Sequence, residues 1–374
     1  MKRYAIFFPQ FHSIKVNDLA WGYGFTDWVL VAAANAFNTW SRRSPACGFY
    51  DLSQEEDVRS QFEGAARAGL DGFGIYHYRF DDGPELDAVE RYLHRTKAPA
   101  GFKYFYIWAN ENWSTRWIGK NIRILKEISP RPSRTAVADH VSYLAPFMQS
   151  DCYTRIDNRP VFVIYRPDSF MEPDVCLAQY RYEFKRVGVN PLIGFFVKNI
   201  SDIRFSKFFD FCYLFEPRLF FNFRGLRKNA LAVNAYQQVA KLISPRMVEA
   251  TSELITTVLN RSSAGYHFDE FLRYFASDVR RAFARSSSCA VQDIVTCGWD
   301  NAPRYRHRST KLEVPTSAQF SSMMDLLLGH TSNDCEIPLL CNAWNEWSEG
   351  AAIEPCSYLG DSLLMSYLSK RQEG

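Results

Sequence analysis

The stretch Ile337–Gly350 reads IPLLCNAWNEWSEG and joins a short apolar run to a cluster of polar and aromatic residues. The run Ile337–Cys341 has sharp ends and about the length of a buried strand. Glu346 and Glu349 follow it, three residues apart, with Trp347 between them. This stretch therefore predicts a strand with two carboxylates just beyond its end, and the other strands decide which kind of sheet it joins.

Seven other apolar runs have the same character. They are rich in aromatic and β-branched residues and alternate little between polar and apolar positions, which indicates strands buried on both faces of a parallel sheet. The runs are Tyr4–Phe8, Gly72–Tyr76, Tyr104–Trp108, Val161–Tyr165, Leu192–Val197, Phe211–Phe215 and Ile294–Cys297. Amphipathic segments between the runs predict helices. These are Gln54–Ala68, Glu85–Arg95, Ala136–Gln149, Pro173–Val187, Asp269–Ala284 and Ser317–Leu328.

Eight strands that alternate with helices predict the α/β class and a single (β/α)8 TIM barrel with long βα loops, spanning residues 1–374. Closure of the barrel requires Tyr4–Phe8 to pair with Ile337–Cys341, because an open edge would leave backbone groups unpaired. The long loops are Gly22–Tyr50 and Pro217–Tyr266. An open doubly wound sheet is the alternative, but it calls for a glycine-rich phosphate turn after a strand. The glycines of Gly69–Gly74 instead precede a strand.

Composition excludes several classes of protein. With 47% hydrophobic residues and a net charge of +3, the 374-residue chain can bury a large core and has no charge excess that calls for a nucleic acid or an anionic membrane. Nine cysteines without a C-x-x-C pair indicate reduced thiols and a cytoplasmic protein. No apolar run is long enough for a signal peptide or a transmembrane segment.

Several catalytic and cofactor motifs are missing from the sequence. The seven histidines are scattered and no H-E-x-x-H spacing occurs, so we expect neither a metal nor another cofactor. The Gly-x-Ser-x-Gly turn of serine hydrolases and the phosphate-binding loop of nucleotide enzymes are also missing. No Asp-x-Asp pair is present to hold the cation of a nucleotide-sugar transferase.

Polar and aromatic residues follow most of the predicted strands, where a barrel places its active site. The candidate substrate-binding residues found in this way are Gln10, His12, Tyr76, Tyr78, Trp108, Asn110, Glu111, Trp113, Glu216, Trp299, Asp300, Trp344, Asn345 and Trp347. Structural roles are open alternatives for several of them. His12 and the tyrosines could be core residues, Glu111 a helix cap, and Asp300 part of an Asx turn.

Glu346 and Glu349 are the candidate catalytic residues. Residues three apart share a face on a turn but not on a strand, so these glutamates converge only if the strand stops near Asn345. Gly350 is consistent with such a stop. Neighbouring carboxyl groups push their pKa values apart, which favours one acid and one base, as glycosidic bond chemistry requires. The alternative is a helix start with two solvated glutamates.

The order of motifs resembles the WbsX-type family of bacterial polysaccharide-locus proteins and is similar, more distantly, to the endo-α-mannosidases of glycoside hydrolase family 99. The matching stretches are Phe8–His12, Trp21–Trp28, Gly72–Tyr78, Trp108–Trp113, Gly298–Arg304 and Ala343–Gly350. The resemblance adds Trp28 to the candidate substrate-binding residues. Two positions depart from the family pattern, because Asp27 stands where a glutamate is usual and His77 where an aromatic residue is common.

The resemblance implies a (β/α)8 barrel that acts on an oligosaccharide or polysaccharide of the O-antigen, lipopolysaccharide or capsule type. The likeness to family 99 implies retaining hydrolysis, in which Glu346 deprotonates the sugar 2-hydroxyl and Glu349 acts as general acid and then base. The family name implies instead a glycosyltransferase with an activated sugar donor. We expect a glycosidase or transglycosidase, with the transferase and a non-catalytic sugar-binding barrel as alternatives.

Overall fold

The fold is a closed barrel of eight parallel strands. The computed structural model describes residues 1–36, 44–115, 123–228, 264–305, 309–329 and 336–369. The barrel strands are β1 (Arg3–Phe7), β2 (Gly72–Phe80), β3 (Lys103–Trp108), β4 (Arg159–Ile164), β5 (Leu192–Val197), β6 (Phe211–Leu214), β7 (Ala290–Thr296) and β8 (Leu339–Asn342). Each strand pairs with its neighbours in chain order and β8 pairs with β1. The predicted (β/α)8 barrel is confirmed and the doubly wound alternative is wrong.

Strand β1 closes the barrel by pairing on both sides. Tyr4 lies opposite Leu340 of β8 and opposite Gly72 of β2, so the first and last predicted strands are neighbours as expected. Gly72 is required at this junction. A Cβ atom there would lie 2.3 Å from the Lys103 carbonyl oxygen of β3 and 2.7 Å from the Tyr4 ring. The absence of a side chain therefore lets three strands approach one another.

The helices surround the barrel. They are α1 (Lys15–Trp21), α2 (Asp27–Ala36), α3 (Glu55–Ala68), α4 (Ala88–Arg95), α5 (Arg134–Gln149), α6 (Pro173–Arg186), α7 (Arg218–Lys228), α8 (Phe268–Phe275), α9 (Asp278–Arg285), α10 (Ala302–Tyr305), α11 (Ser317–Leu328) and α12 (Ser362–Leu368). Turns of 3-10 helix occur at Pro167–Ser169, Ile200–Phe208 and Trp347–Glu349. Within the described ranges, no helix is long and apolar enough to cross a membrane.

Short additional strands lie in the loops outside the eight barrel strands. Gly83–Glu85 extends β2 as a hairpin, and Arg155–Ile156 pairs with β4. Trp113–Ser114 pairs with Ile124–Lys126, and Asn345–Glu346 with Ala351–Ala352. A small sheet contains Ala264–Tyr266, Thr310–Leu312 and Trp299–Asp300. The two predicted long loops contain α2 and α7, and their residues 37–43 and 229–263 lie outside the described ranges.

One predicted helix is wrong as a single element. The segment Asp269–Ala284 forms α8 and α9, with a break at Ser277. The Ser277 hydroxyl accepts a hydrogen bond from the Arg280 backbone N–H at 3.3 Å and so caps the start of α9. No glycine or proline marks this break. The periodicity of apolar residues continues across it, so the sequence pattern does not reveal the cap.

Strand alternation sorts the aromatic residues between the inside and the outside of the barrel. Tyr76 in β2 contacts the ring of Phe8, which follows β1, at a centroid distance of 4.6 Å, on the inner side. The next residue, His77, instead packs against His140 of α5 on the outer side. Tyr78 lies two residues after Tyr76 and so faces the same side, which means that this strand places two phenol rings inside the barrel near its C-terminal end.

Candidate active site

A buried arginine collects three carboxylates at the C-terminal end of the barrel. The Nη2 atom of Arg304 lies 2.6 Å from Oδ2 of Asp27 and 3.2 Å from Oε1 of Glu346. Its Nη1 atom donates to Oε1 of Glu349 at 2.8 Å. The two candidate catalytic glutamates therefore lie within the span of one guanidinium group.

Two uncharged side chains tie Asp27 to Glu346. The Ser348 hydroxyl lies 2.7 Å from Oδ2 of Asp27 and 2.7 Å from Oε1 of Glu346. The Gln10 amide donates to Asp27 at 2.7 Å and lies 3.3 Å from Oε2 of Glu346. Each carboxylate thus receives several donors, which fixes its direction and compensates part of the cost of its burial.

Local backbone structure explains why the glutamates converge. Strand β8 ends at Asn342, and Glu346 lies in a two-residue strand that pairs with Ala351. A single 3-10 turn, Trp347–Glu349, then brings Glu349 round, and Gly350 ends the turn in a left-handed conformation with φ of 62°. The Asn345 side chain makes no hydrogen bond to the Glu346 carboxylate. That side chain pairs with the Phe8 backbone, accepting at 2.8 Å and donating at 3.0 Å, and so anchors the turn to β1.

Burial raises the pKa values of both glutamates, and the charges of nearby carboxylates add to the rise. The Glu346 side chain is 1% exposed and that of Glu349 13%. Desolvation raises the pKa of Glu346 most, Arg304 lowers it, and the charges of Glu349 and Asp27 raise it again. Desolvation also raises the pKa of Glu349, while Arg304 and Arg218 lower it. Such a coupled pair titrates as a unit and tends to retain one proton near neutral pH.

Tyrosines form the floor beside this cluster. Tyr76 lies 6.2 Å from Tyr78 and 5.7 Å from Tyr165, measured between ring centroids. Desolvation raises the pKa of the Tyr78 hydroxyl, and the charge of Glu346 raises it further. Desolvation also raises the pKa of the Tyr76 hydroxyl, and neighbouring groups, Glu111 and Glu346 among them, raise it further. Phenol rings beside carboxylates form a surface that suits a sugar ring.

Four candidates point away from this floor. Trp108 packs against His140 of α5 at 4.6 Å, and Asn110 donates to the Arg166 carbonyl at 2.7 Å. The indole N–H groups of Trp344 and Trp347 donate to Gln61 at 2.7 Å and to Glu354 at 2.8 Å. These side chains contact residues outside the tyrosine floor and so help to hold the site in place. Their contact with substrate stays a prediction.

The remaining candidates pack against different neighbours, and their roles as substrate ligands also stay predictions. Glu216 is sealed between Arg280, Tyr274 and the Phe220 backbone. His12 is buried near Asp51, and its Nδ1 atom lacks a partner within the described residues. Trp28 stacks on Phe11, Trp113 packs on Tyr78, and Arg218 lies 5.9 Å from the Trp299 ring. Asp300 caps the Ala302 N–H at 3.0 Å.

Asp27, Arg304 and Ser348 were not among the candidate site residues. Arg304 lies 277 residues from Asp27 along the chain, so no local spacing links them. Their presence in matched motif stretches was the only signal. Metal ligation was not expected, and within the described ranges no three His, Cys, Asp or Glu side chains form a group that could hold a metal ion.

Comparison with protein families identifies the chain. The model of the family "Glycosyltransferase WbsX" matches residues 3–367. The chain belongs to the WbsX glycosyltransferase family. This WbsX protein is 29% identical over 367 residues to the uncharacterized protein WxcX of Xanthomonas campestris pv. campestris strain B100, a match that covers 95% of the chain and 47% of WxcX. It therefore spans about half the length of the curated relatives it matches.

Solved structures with the same fold include a family 99 endo-α-mannosidase. The Bacteroides thetaiotaomicron enzyme, in complex with bis-tris-propane, has a TM-score of 0.57 and 11% identity, covering 98% of the WbsX chain and 95% of its own. A "glycoside hydrolase-like protein" has a TM-score of 0.59 and 14% identity, covering 90% and 91%. At these identities the likeness establishes the fold alone, a fold that the chain shares with the family 99 enzyme.

Proposed function

We propose that this WbsX protein is a carbohydrate-active enzyme that cleaves or transfers a glycosidic bond of a bacterial surface polysaccharide, of O-antigen or capsule type. The observation that carries the proposal is the convergence of Glu346 and Glu349 on Arg304 beside the tyrosine floor. Paired carboxyl groups at a barrel mouth are the usual equipment for this chemistry. Membership in the WbsX family supports the carbohydrate substrate.

The proposed reaction needs one ionised and one protonated glutamate, with Glu346 as the base and Glu349 as the acid. Glu346 takes the proton of the sugar 2-hydroxyl, whose oxygen attacks the anomeric carbon. The bond to the leaving oxygen breaks as Glu349 donates its proton there. Water then attacks the anomeric carbon and displaces the 2-oxygen, so that the bond between that carbon and the 2-oxygen breaks. Glu349 takes the proton of the water, and Glu346 returns its proton to the released 2-oxygen. A sugar hydroxyl in place of water gives transglycosylation. The family 99 resemblance supports this division of roles.

Transfer from an activated sugar donor is the second candidate function. The family name favours it, and so does one cation at the site. Arg218 is exposed at the start of α7, and its charge lowers the pKa of Glu349. A cation close to the carboxyl pair could hold the diphosphate of a donor. In that reaction the donor phosphate, rather than a sugar oxygen, leaves the anomeric carbon.

Product analysis tests the proposal. The protein is incubated with a panel of O-antigen and capsular polysaccharides, and the released or transferred oligosaccharides are identified by mass spectrometry and NMR. Glu346→Gln and Glu349→Gln should each lower turnover by about 10²–10⁴-fold, because each removes one titrating group. Glu56→Gln, on the exposed first turn of α3, is the matched control and should keep full turnover.

The alternatives predict other results. Tight binding of nucleotide sugars in calorimetric titration, with product formed only in their presence, supports the transferase. Binding of oligosaccharide without any product supports a non-catalytic barrel. Full turnover of both glutamine variants would show that the carboxyl pair is structural and would reject the proposed chemistry.

A further inference from the structure

A second polar group lies at the edge of the tyrosine floor. Lys198 directly follows β5, and only 8% of its surface is exposed. Its ammonium nitrogen lies 3.9 Å from the centroid of the Tyr165 ring. Tyr165 packs on Tyr76, and burial raises the pKa of its hydroxyl, with the charges of Glu111 and Glu349 raising it further. Contacts from Lys198 to Tyr165, and from Tyr165 to Tyr76, therefore link Lys198 to the tyrosine floor beside the carboxyl pair.

The N–H donors of the Lys198 ammonium group have no acceptor among the described residues. Both backbone polar groups of Lys198 are hydrogen-bonded. The N–H donates to Asp202 at 3.1 Å, and the carbonyl accepts from the Asn222 side chain at 2.7 Å. The ammonium itself makes no hydrogen bond or ion pair with any residue in the described ranges. Its nitrogen is not among the fully enclosed, unpartnered side-chain atoms of the described residues, so it keeps some solvent exposure. An ammonium offers three donors, and leaving them unused in a buried position is costly.

The charges around Lys198 favour an uncharged ligand. Arg166 pairs with Asp168 at 2.8 Å and lies 3.7 Å from Glu111. Asp202 adds another carboxyl group beside Lys198. The carboxylates of Asp168, Glu111 and Asp202 already offset the positive charges of Arg166 and Lys198. The surroundings of Lys198 therefore have no excess positive charge that would bind a carboxylate or a phosphate. Sugar hydroxyl oxygens can accept from the ammonium without adding charge.

We propose that Lys198 binds substrate by donating hydrogen bonds to hydroxyl oxygens of an uncharged sugar residue next to the carboxyl pair. This inference rests on the proposed function only in taking the substrate to be a carbohydrate. The Lys198 subsite, formed by Lys198, Tyr165 and Glu111, selects neutral sugars over uronic acids. Burial lowers the pKa of Lys198 to about 8, which makes its amine reactive enough to be followed chemically.

Competitive acylation of the amine tests the subsite without any need for turnover. The intact protein is treated at pH 8 with a limiting amount of acetic anhydride, and the modification of each lysine is measured by peptide mass spectrometry. Lys15, exposed on α1, is the internal reference. The probes are neutral mannose, glucose and galactose, the uronic acid glucuronate, and inorganic phosphate, each raised to its solubility limit.

At least one neutral hexose should slow the acylation of Lys198 by about fivefold or more, with Lys15 unaffected. Stronger protection by glucuronate or phosphate would overturn the neutral-sugar assignment. No protection by any probe would overturn the subsite itself.

Variants give an independent readout. Lys198→Met keeps the apolar stem and removes the donors, so it should raise KM by about tenfold or more with little change in kcat. Lys198→Arg should recover part of the loss. Lys185→Met, exposed on α6, should leave KM unchanged. An unchanged KM in folded Lys198→Met would refute the role.

The two proposals fail separately. If hexoses protect Lys198 while Glu346→Gln and Glu349→Gln keep full turnover, the carboxyl chemistry is wrong and the subsite stands. If the glutamine variants are inactive while no sugar protects Lys198, the subsite is wrong and the chemistry stands.

Discussion

At the scale of single residues, Arg304 controls the charge of the site. It is the only cation in direct contact with Asp27, Glu346 and Glu349 within the described residues, and it lowers the pKa of both glutamates. Arg304→Met should therefore raise both pKa values and move the pH optimum of kcat/KM to higher pH, together with a loss of turnover. Arg304→Lys, which keeps one charge, should shift the optimum less. A profile with the same optimum in both variants would contradict this role.

The wild-type pH profile follows from the same pair. The proposed reaction needs one ionised and one protonated glutamate, so kcat/KM should be bell-shaped. Because burial raises both pKa values, the acid limb should lie above the ordinary glutamate range, and the alkaline limb should appear as the pair loses its last proton. Glu349→Gln should remove the alkaline limb in whatever activity remains. A flat profile between pH 4 and 9 would contradict the coupled pair.

The leaving group separates the roles of the two glutamates. A substrate whose aglycone is a nitrophenol needs little protonation as it leaves. Such a substrate should restore much of the turnover of Glu349→Gln and little of that of Glu346→Gln, because the latter lacks the base. Rates for the nitrophenyl and alkyl glycosides of the preferred sugar provide the measurement. Equal rescue of both variants would mean that the acid and base assignments are wrong.

At the scale of elements, Glu354 joins the turn that carries the glutamates to the rest of the protein. It accepts from Trp347 at 2.8 Å, from Gln61 of α3 at 2.9 Å and from Tyr50 at 3.1 Å. Glu354→Gln replaces one acceptor oxygen with an NH₂ group that cannot accept. We expect a loss of about 1–3 kcal/mol in the free energy of unfolding at neutral pH, measured by urea denaturation. Glu56→Gln is the control.

Glu354 also gives the fold a pH dependence. Burial raises its pKa to about 7, above the value of an unfolded glutamate near 4.3. Between these values the folded state binds more protons, so this group lowers stability as pH rises from about 4.3 to about 7. Glu354→Gln should remove that contribution. An equal pH slope of unfolding free energy in the variant and the wild type would contradict the shift.

The break between α8 and α9 depends on a single hydroxyl group. Ser277→Ala removes the cap of α9 and should lower the free energy of unfolding by about 1 kcal/mol. Ser13→Ala, at an exposed position outside the helices and strands, should have no measurable effect. If both variants unfold at the same urea concentration as the wild type, the cap does not determine this boundary.

At the scale of the whole molecule, closure of the barrel depends on close backbone approach at Gly72. A methyl group there meets the carbonyl of a paired strand, which cannot rotate away. Gly72→Ala should therefore cost about 1–3 kcal/mol or more in the free energy of unfolding. Gly64→Ala, on α3 with nothing within 4 Å of its Cβ position, should be neutral or stabilise by up to about 1 kcal/mol.

The sequence alone was sufficient to predict the barrel, because burial on both faces leaves strands such as Val161–Tyr165 and Ile337–Cys341 without polar alternation. It also predicted that Glu346 and Glu349 follow the last strand. Only the tertiary structure decided that Trp108 and Trp344 face outward, because strand alternation relative to the barrel axis depends on where each strand begins. Only the tertiary structure, likewise, decided that the Arg304 guanidinium contacts both glutamates. Nothing near Asp27 or Arg304 in the chain marks them as buried, and their desolvation is compensated only once the closed barrel brings them together.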